Sequence, residues 1–172
     1  ACRSSLAAPA RSGALSTSVP SRSNRTASTD ARGAAMAELS VLIHQLTTAP
    51  QLGDWIATAE NESLSPAEKT SLAAIKRRWQ QATLLPEKLV MAQSLANSEC
   101  EHAWREQRTN NDWAGFKTNL AKVVDLAREE AAIRADAAGL SRYDAMLDIY
   151  EPGMSSATLD ALFGEVKTWL PD

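Results

Sequence analysis

The chain has 172 residues, 44% hydrophobic and 23% charged, an ordinary globular composition in a length that suits one domain. Its formal net charge is −3, yet the first 29 residues hold four arginines and no acid, so taking that +4 from −3 leaves −7 on the remainder. An acidic body offers no basic face for nucleic acid, and no apolar run reaches the roughly 18 residues of a membrane span.

Residues 1–29, "ACRSSLAAPARSGALSTSVPSRSNRTAST", are rich in Ser, Ala, Arg and Thr. A disordered tail, an appended extension and an organelle transit peptide all have that composition, and the absence of an apolar core segment argues against a secretory signal. A helical pattern starts at Asp30, where Met36, Leu39, Ile43 and Leu46 recur at 3-4-3 spacing as far as the stop at Pro50. Leu52, Trp55, Ile56 and Ala59 mark a short second helix.

Ser65, Pro66 and Glu68 form the clearest start signal in the chain: a cap, a proline suited to the first helical position, and an acid that reaches back to the cap amide. Leu72, Ile75, Trp79 and Ala82 are the apolar face that follows, and the triplet Lys76, Arg77 and Arg78 reads as a solvated flank. Pro86 opens a long helix to about Arg108, whose stripe of Leu89, Ala92, Ala96, Cys100 and Ala103 places Cys100 as a small buried hydrophobe.

Asn110, Asn111 and Asp112 are cap and turn residues. After them Trp113, Phe116, Leu120, Val123, Val124, Ala127 and Ala131 trace a wide apolar stripe. Gly139 and the segment "YDAMLDIYEPG", Tyr143–Gly153, lead to a last helix from about Ser156. Its expected buried face is Leu159, Leu162, Phe163, Val166, Trp169 and Leu170. No stretch alternates with period two, so the expected fold is all-α with six or seven helices and no internal repeat.

A self-contained active site is not found. His44 and His102 begin "HQLTT" and "HAWRE", neither of which is the H-E-x-x-H pair that puts two imidazoles on one metal. Cys100 and His102 are two apart and diverge on a helix. No G-x-S-x-G elbow and no glycine-rich phosphate loop occurs. The remaining candidates are carboxylates: Glu99 and Glu101, Glu129 and Glu130, and the i, i+4 pair Asp144 and Asp148. That last pair shares a helix face and suits a cation site, acid–base work or a solvated face; Glu151 is the last residue before the Pro152-Gly153 stop, and Met146, Leu147 and Tyr150 pack inward.

Three segments in order, "LLPEKLV", "SECEHAWREQRTNNDWAGFKTNLAKVVDLAREEA" and "YDAMLDIYEPGMSSATLDALF", resemble the amino-terminal region of the carboxypeptidase Taq family of metallocarboxypeptidases. The matching elements are Leu85–Val90, Cys100–Phe116 and Tyr143–Gly153, at similar spacing. A weaker likeness runs through "DARGAAMAELSVLIHQLTTAPQLGDWI", so the resemblance covers about residues 30–170. Residues 1–18 carry none of it, and the tryptophan–acid helix usual upstream in the family has no counterpart. "AIRADA" echoes a motif of the family's later half at the wrong spacing and position, and is read as chance.

The resemblance implies the helical amino-terminal part of a zincin-like enzyme with a deep groove, commonly a homodimer, that removes single residues from peptide carboxyl termini. It implies zinc or another divalent metal held by an H-E-x-x-H helix and a later glutamate, with the motif glutamate as general base. No residue of this chain matches those positions, so none is assigned a catalytic, cofactor-binding or metal role. The expectation is an amino-terminal fragment, inactive alone, with residues 1–29 as an unmatched disordered tail and 30–172 as the helical region. The alternative is a non-enzymatic helical binding or dimerisation module derived from that family. A helical bundle with its own carboxylate metal site ranks last, since it needs E-x-x-H ligands from facing helices. Cys2 and Cys100, too far apart for a disulfide framework, point to a reducing compartment and a cytoplasmic setting.

Overall fold

The computed structural model describes residues 22–170, with side-chain surroundings from residue 30 onward. Among these residues it forms seven helices and no strand: α1 (Arg22–Thr47), α2 (Pro50–Ala59), α3 (Pro66–Thr83), α4 (Glu87–Thr109), α5 (Trp113–Ala138), α6 (Arg142–Tyr150) and α7 (Ser156–Trp169). The all-α expectation holds. α1 begins at Arg22, eight residues ahead of the Asp30 boundary read from the pattern, because residues 22–29 carry no apolar stripe to mark a helix. Of the tail expected to be disordered over residues 1–29, residues 22–29 are helical and residues 1–21 lie outside the described residues.

The helix ends follow local chemistry. Ser65 and Glu68 form a reciprocal capping box at α3, and Pro66 supplies a fixed φ where no backbone donor is needed. Asp112, Ser141 and Ser155 cap α5, α6 and α7 by accepting from Gly115, Asp144 and Thr158 backbone N–H groups. α5 stops at Gly139, whose φ of 66° is left-handed and open to glycine without a Cβ penalty.

The packing order is α1 on α4, α4 on α5 and α5 on α6, with α2 on α3 set against α1. The α1–α4 seam is made of small residues. Gly33 and Ala37 are buried, a Cβ at Gly33 would stand 3.0 Å from Ser98 Oγ, and the Ser40 and Ser94 hydroxyls are 3.2 Å apart. Gln45 also donates to Glu87 at 2.8 Å. At 3.6 residues per turn, Leu39, Leu42 and Leu46 then fall on the side opposite Ala37. They are 47%, 50% and 64% exposed, and Met36 and Ile43 are about half exposed beside them. The predicted apolar stripe of α1 thus exists but faces outward.

The buried hydrophobic side chains are Ala37, Ile56, Leu89, Ala96, Ala131, Ala135 and Ala145, and no large side chain among the described residues is fully buried. Several expected core positions are therefore corrected. Trp55, Ile75, Trp113 and Val124 are exposed, because the helices packed against theirs leave those faces uncovered. Leu162, Phe163, Trp169 and Leu170 are exposed too, since α7 has no close-packed partner helix; only Leu159 and Val166 are half-buried. Cys100 is a free thiol, half-buried rather than buried. Met146 and Leu147 are half-buried, but Tyr150 is 82% exposed at the end of α6.

Candidate functional site

The segment Tyr143–Gly153 forms α6 and the turn after it, and its two aspartates are acceptors. Asp148 Oδ1 accepts from the Gly153 backbone N–H at 2.9 Å, folding the Pro152-Gly153 turn back on the helix. Gly153 has φ 81°, a conformation that suits glycine at that turn. Asp148 Oδ2 accepts from Arg77 Nη2 at 2.7 Å, and the same guanidinium nitrogen donates to the Asp148 carbonyl. Asp144 Oδ1 accepts from the Ser156 N–H at 2.7 Å, and its Oδ2 accepts from the Ser141 hydroxyl at 2.8 Å. One carboxylate closes the turn and anchors α3; the other ties the start of α7 to the start of α6.

The electrostatics follow from these bonds. The Gly153 amide, and then the Arg77 guanidinium, hold the Asp148 carboxyl below its ordinary value. The Ser156 amide and the Ser141 hydroxyl do the same for Asp144. Both groups are anions at neutral pH with their oxygens engaged, so neither is a general base waiting for a proton. Neither a cation site nor a solvated face describes the pair, although i, i+4 spacing does bring both aspartates to one flank.

Arg77 corrects the reading of the basic triplet as a solvated flank. It crosses from α3 to α6, and Lys76 pairs with Glu60; of the three, Arg78 alone is exposed and makes no ion pair with a described residue. A second guanidinium lies nearby. Arg134, its side chain 11% exposed, donates to Glu130 at 2.7 Å and to the Gln81 carbonyl at 3.4 Å, while Gln93 donates to the other Glu130 oxygen at 2.7 Å. Sequence reasoning missed this half-buried network, because Arg134 sits in the "AIRADA" stretch set aside as chance; the Glu130–Arg134 i, i+4 spacing was the available signal.

Between α3, α5 and α6 lies an open cleft of about 490 Å³, lined by Arg77, Gln80, Leu84, Arg134, Leu140 and Asp148 among others. It holds no nucleophile with an adjacent base. Among the described residues no group of three His, Cys, Asp or Glu side chains could hold a metal ion. Glu99 and His102 stand in the E-x-x-H spacing that a helical-bundle metal site needs, but both are exposed on α4 and Glu99 pairs loosely with Lys122 at 3.7 Å. His44 is a half-buried boundary residue on α1 and His102 faces solvent. Glu151 is exposed where α6 ends. The arrangement can orient helices and receive a polar group at two guanidiniums; nothing in it activates water.

A family model, carboxypeptidase Taq (M32) metallopeptidase, matches residues 16–172. Thermostable carboxypeptidase 1 of Thermus thermophilus is 36% identical over 150 residues, covering 81% of this chain and 29% of that protein. Thermostable carboxypeptidase 1 of Pyrococcus furiosus is 29% identical over 135 residues, covering 77% of this chain and 26% of that protein. The crystal structure of BsuCP superposes with a TM-score of 0.73 at 24% identity, covering 83% of this chain and 29% of that one. The chain thus spans between a quarter and a third of the length of the curated relatives it matches.

Proposed function

This chain belongs to the carboxypeptidase Taq (M32) metallopeptidase family, and from that premise we propose that it is the amino-terminal helical segment of a metal-dependent carboxypeptidase that removes C-terminal residues from peptides. In the whole enzyme it forms one wall of the substrate groove, and zinc or another divalent metal is held by residues outside this chain. The observation that carries the reading is a family match along residues 16–172 that accounts for less than a third of each relative. The sequence supports it with the absence of any H-E-x-x-H in its 172 residues.

By itself the segment releases nothing from peptides. Incubation with a C-terminally varied peptide set, with zinc or cobalt added, is expected to leave every peptide intact. Metal-dependent release of C-terminal residues by this chain alone would overturn the proposal. Homodimer assembly and a cytoplasmic setting belong to the same reading; they rest on the family resemblance and on the two widely spaced cysteines. No helix among the described residues is long and apolar enough to cross a membrane.

The competing reading, a non-enzymatic helical module, is favoured by one feature: α3, α5, α6 and α7 each carry their own side-chain cap and small residues close the α1–α4 seam. A module of that kind is a monodisperse monomer or dimer by light scattering, whereas a segment cut from a larger protein aggregates and binds apolar dyes.

A further inference from the structure

Met36, Leu39, Leu42, Ile43 and Leu46 give α1 an outward stripe in which every side chain is between 47% and 64% exposed. Between Gly33 and Thr47 the one charged side chain is Glu38, which lies on the flank. The stripe cannot turn inward, because the opposite face is committed to α4 through Gly33, Ala37 and the Ser40–Ser94 contact. Met36, Leu39, Ile43 and Leu46 have the i, i+3, i+7, i+10 spacing by which a helix seats one face in an apolar groove. Together the five residues span about 15 Å.

We infer that this stripe of α1 is the face on which the remaining, metal-holding part of the carboxypeptidase docks. The inference rests on the reading above and names the surface that reading leaves open. Two observations select the occupant. Of the Thermus relative, 29% is covered, which leaves 71% of its length to be packed against something. Five half-exposed side chains offer only on the order of 300 Å² of apolar area, well under the roughly 800 Å² per partner of a stable association. A second copy, which must overcome the loss of translational and rotational freedom, is poorly served by so small a patch. A segment of the same polypeptide meets no such cost. α7 also exposes apolar residues, but no close-packed helix fixes its position, so it is the weaker anchor.

The test uses Ile43→Cys, placed in this chain and in a chimera that joins the chain to the part of the Thermus relative beyond its matched region. Labelling by a thiol reagent is followed at the peptide level by mass spectrometry, which separates the introduced thiol from Cys2 and Cys100. The introduced thiol is expected to label fast in the isolated chain and about tenfold or more slowly in the chimera, as a covered site does. Equal labelling in the two proteins overturns the docking inference, whether or not the chimera is active. Slow labelling in an isolated chain that light scattering finds dimeric overturns it as well, in favour of a second copy. Metal-dependent peptide cleavage by the chimera carrying native Ile43 reports on the parent reading separately.

Discussion

At Asp148 a single carboxylate accepts from the Gly153 amide and from Arg77, joining a turn to a helix 71 positions away in the chain. Both bonds favour the anion, so its folded pKa lies below the ordinary 3.8. The stabilisation from such a depressed carboxyl is fully present above the unfolded value and disappears as pH falls through the folded one. Asp144 shifts in the same direction, so acid below about pH 3.8 is expected to release the α6–α7 turn. Asp148→Ala at neutral pH is expected to cost about 1 kcal/mol, a charge-assisted bond discounted for its partial exposure. Asp144→Asn with Asp148→Asn is expected to flatten the acid limb. Urea midpoints measured across the acid range check both, and an acid limb as steep in the double variant as in the native chain would refute this account. The sequence made the spacing of these aspartates plain, but the partner amides at Gly153 and Ser156 exist only once the Pro-Gly turn has folded back.

Most of the helices were readable, because the capping box at Ser65 and Glu68 and the Asp112 cap are local chemistry, whereas the Ser141 and Ser155 caps and the Gly139 stop went unread. Which face each helix buries was less readable. Periodicity locates an apolar stripe without naming what it meets, and in α1 the contact with α4 instead uses Gly33, Ala37 and Ser40, residues too small to weigh in a hydrophobic pattern. That seam gives a two-sided test within one element. Ala37 has no exposed surface, so Ala37→Leu is expected to push the helices apart and cost about 1–3 kcal/mol, as overpacking does. Leu39→Gln, two residues on and facing out, is expected to move the chain's urea midpoint hardly at all. The reverse ranking would place the α1–α4 contact on the wrong face.

For the whole molecule, the exposed set of Met36, Ile43, Trp55, Phe163 and Trp169 is set against a core that is mostly alanine. Hydrophobic stabilisation scales with the apolar area removed from water, and an alanine seam removes little. The sequence could not signal this, since 44% hydrophobic residues would serve a self-sufficient domain equally well. Caps and i, i+4 pairs such as Glu101–Arg105 and Glu130–Arg134 support each helix locally, and a mostly alanine core is expected to give weak cooperativity between them. The isolated chain is therefore expected to keep a full helical circular dichroism signal at neutral pH while binding an apolar dye. Its urea transition is expected to be shallow, with a slope below about 1 kcal/mol per molar, at or beneath the low edge for small domains. A steep transition with a slope near about 2 kcal/mol per molar and no dye binding would mean that the alanine-lined helices cohere unaided. In that case the outward stripes would be surface features of an independent domain, and the proposed dependence on the rest of a carboxypeptidase would fail with them.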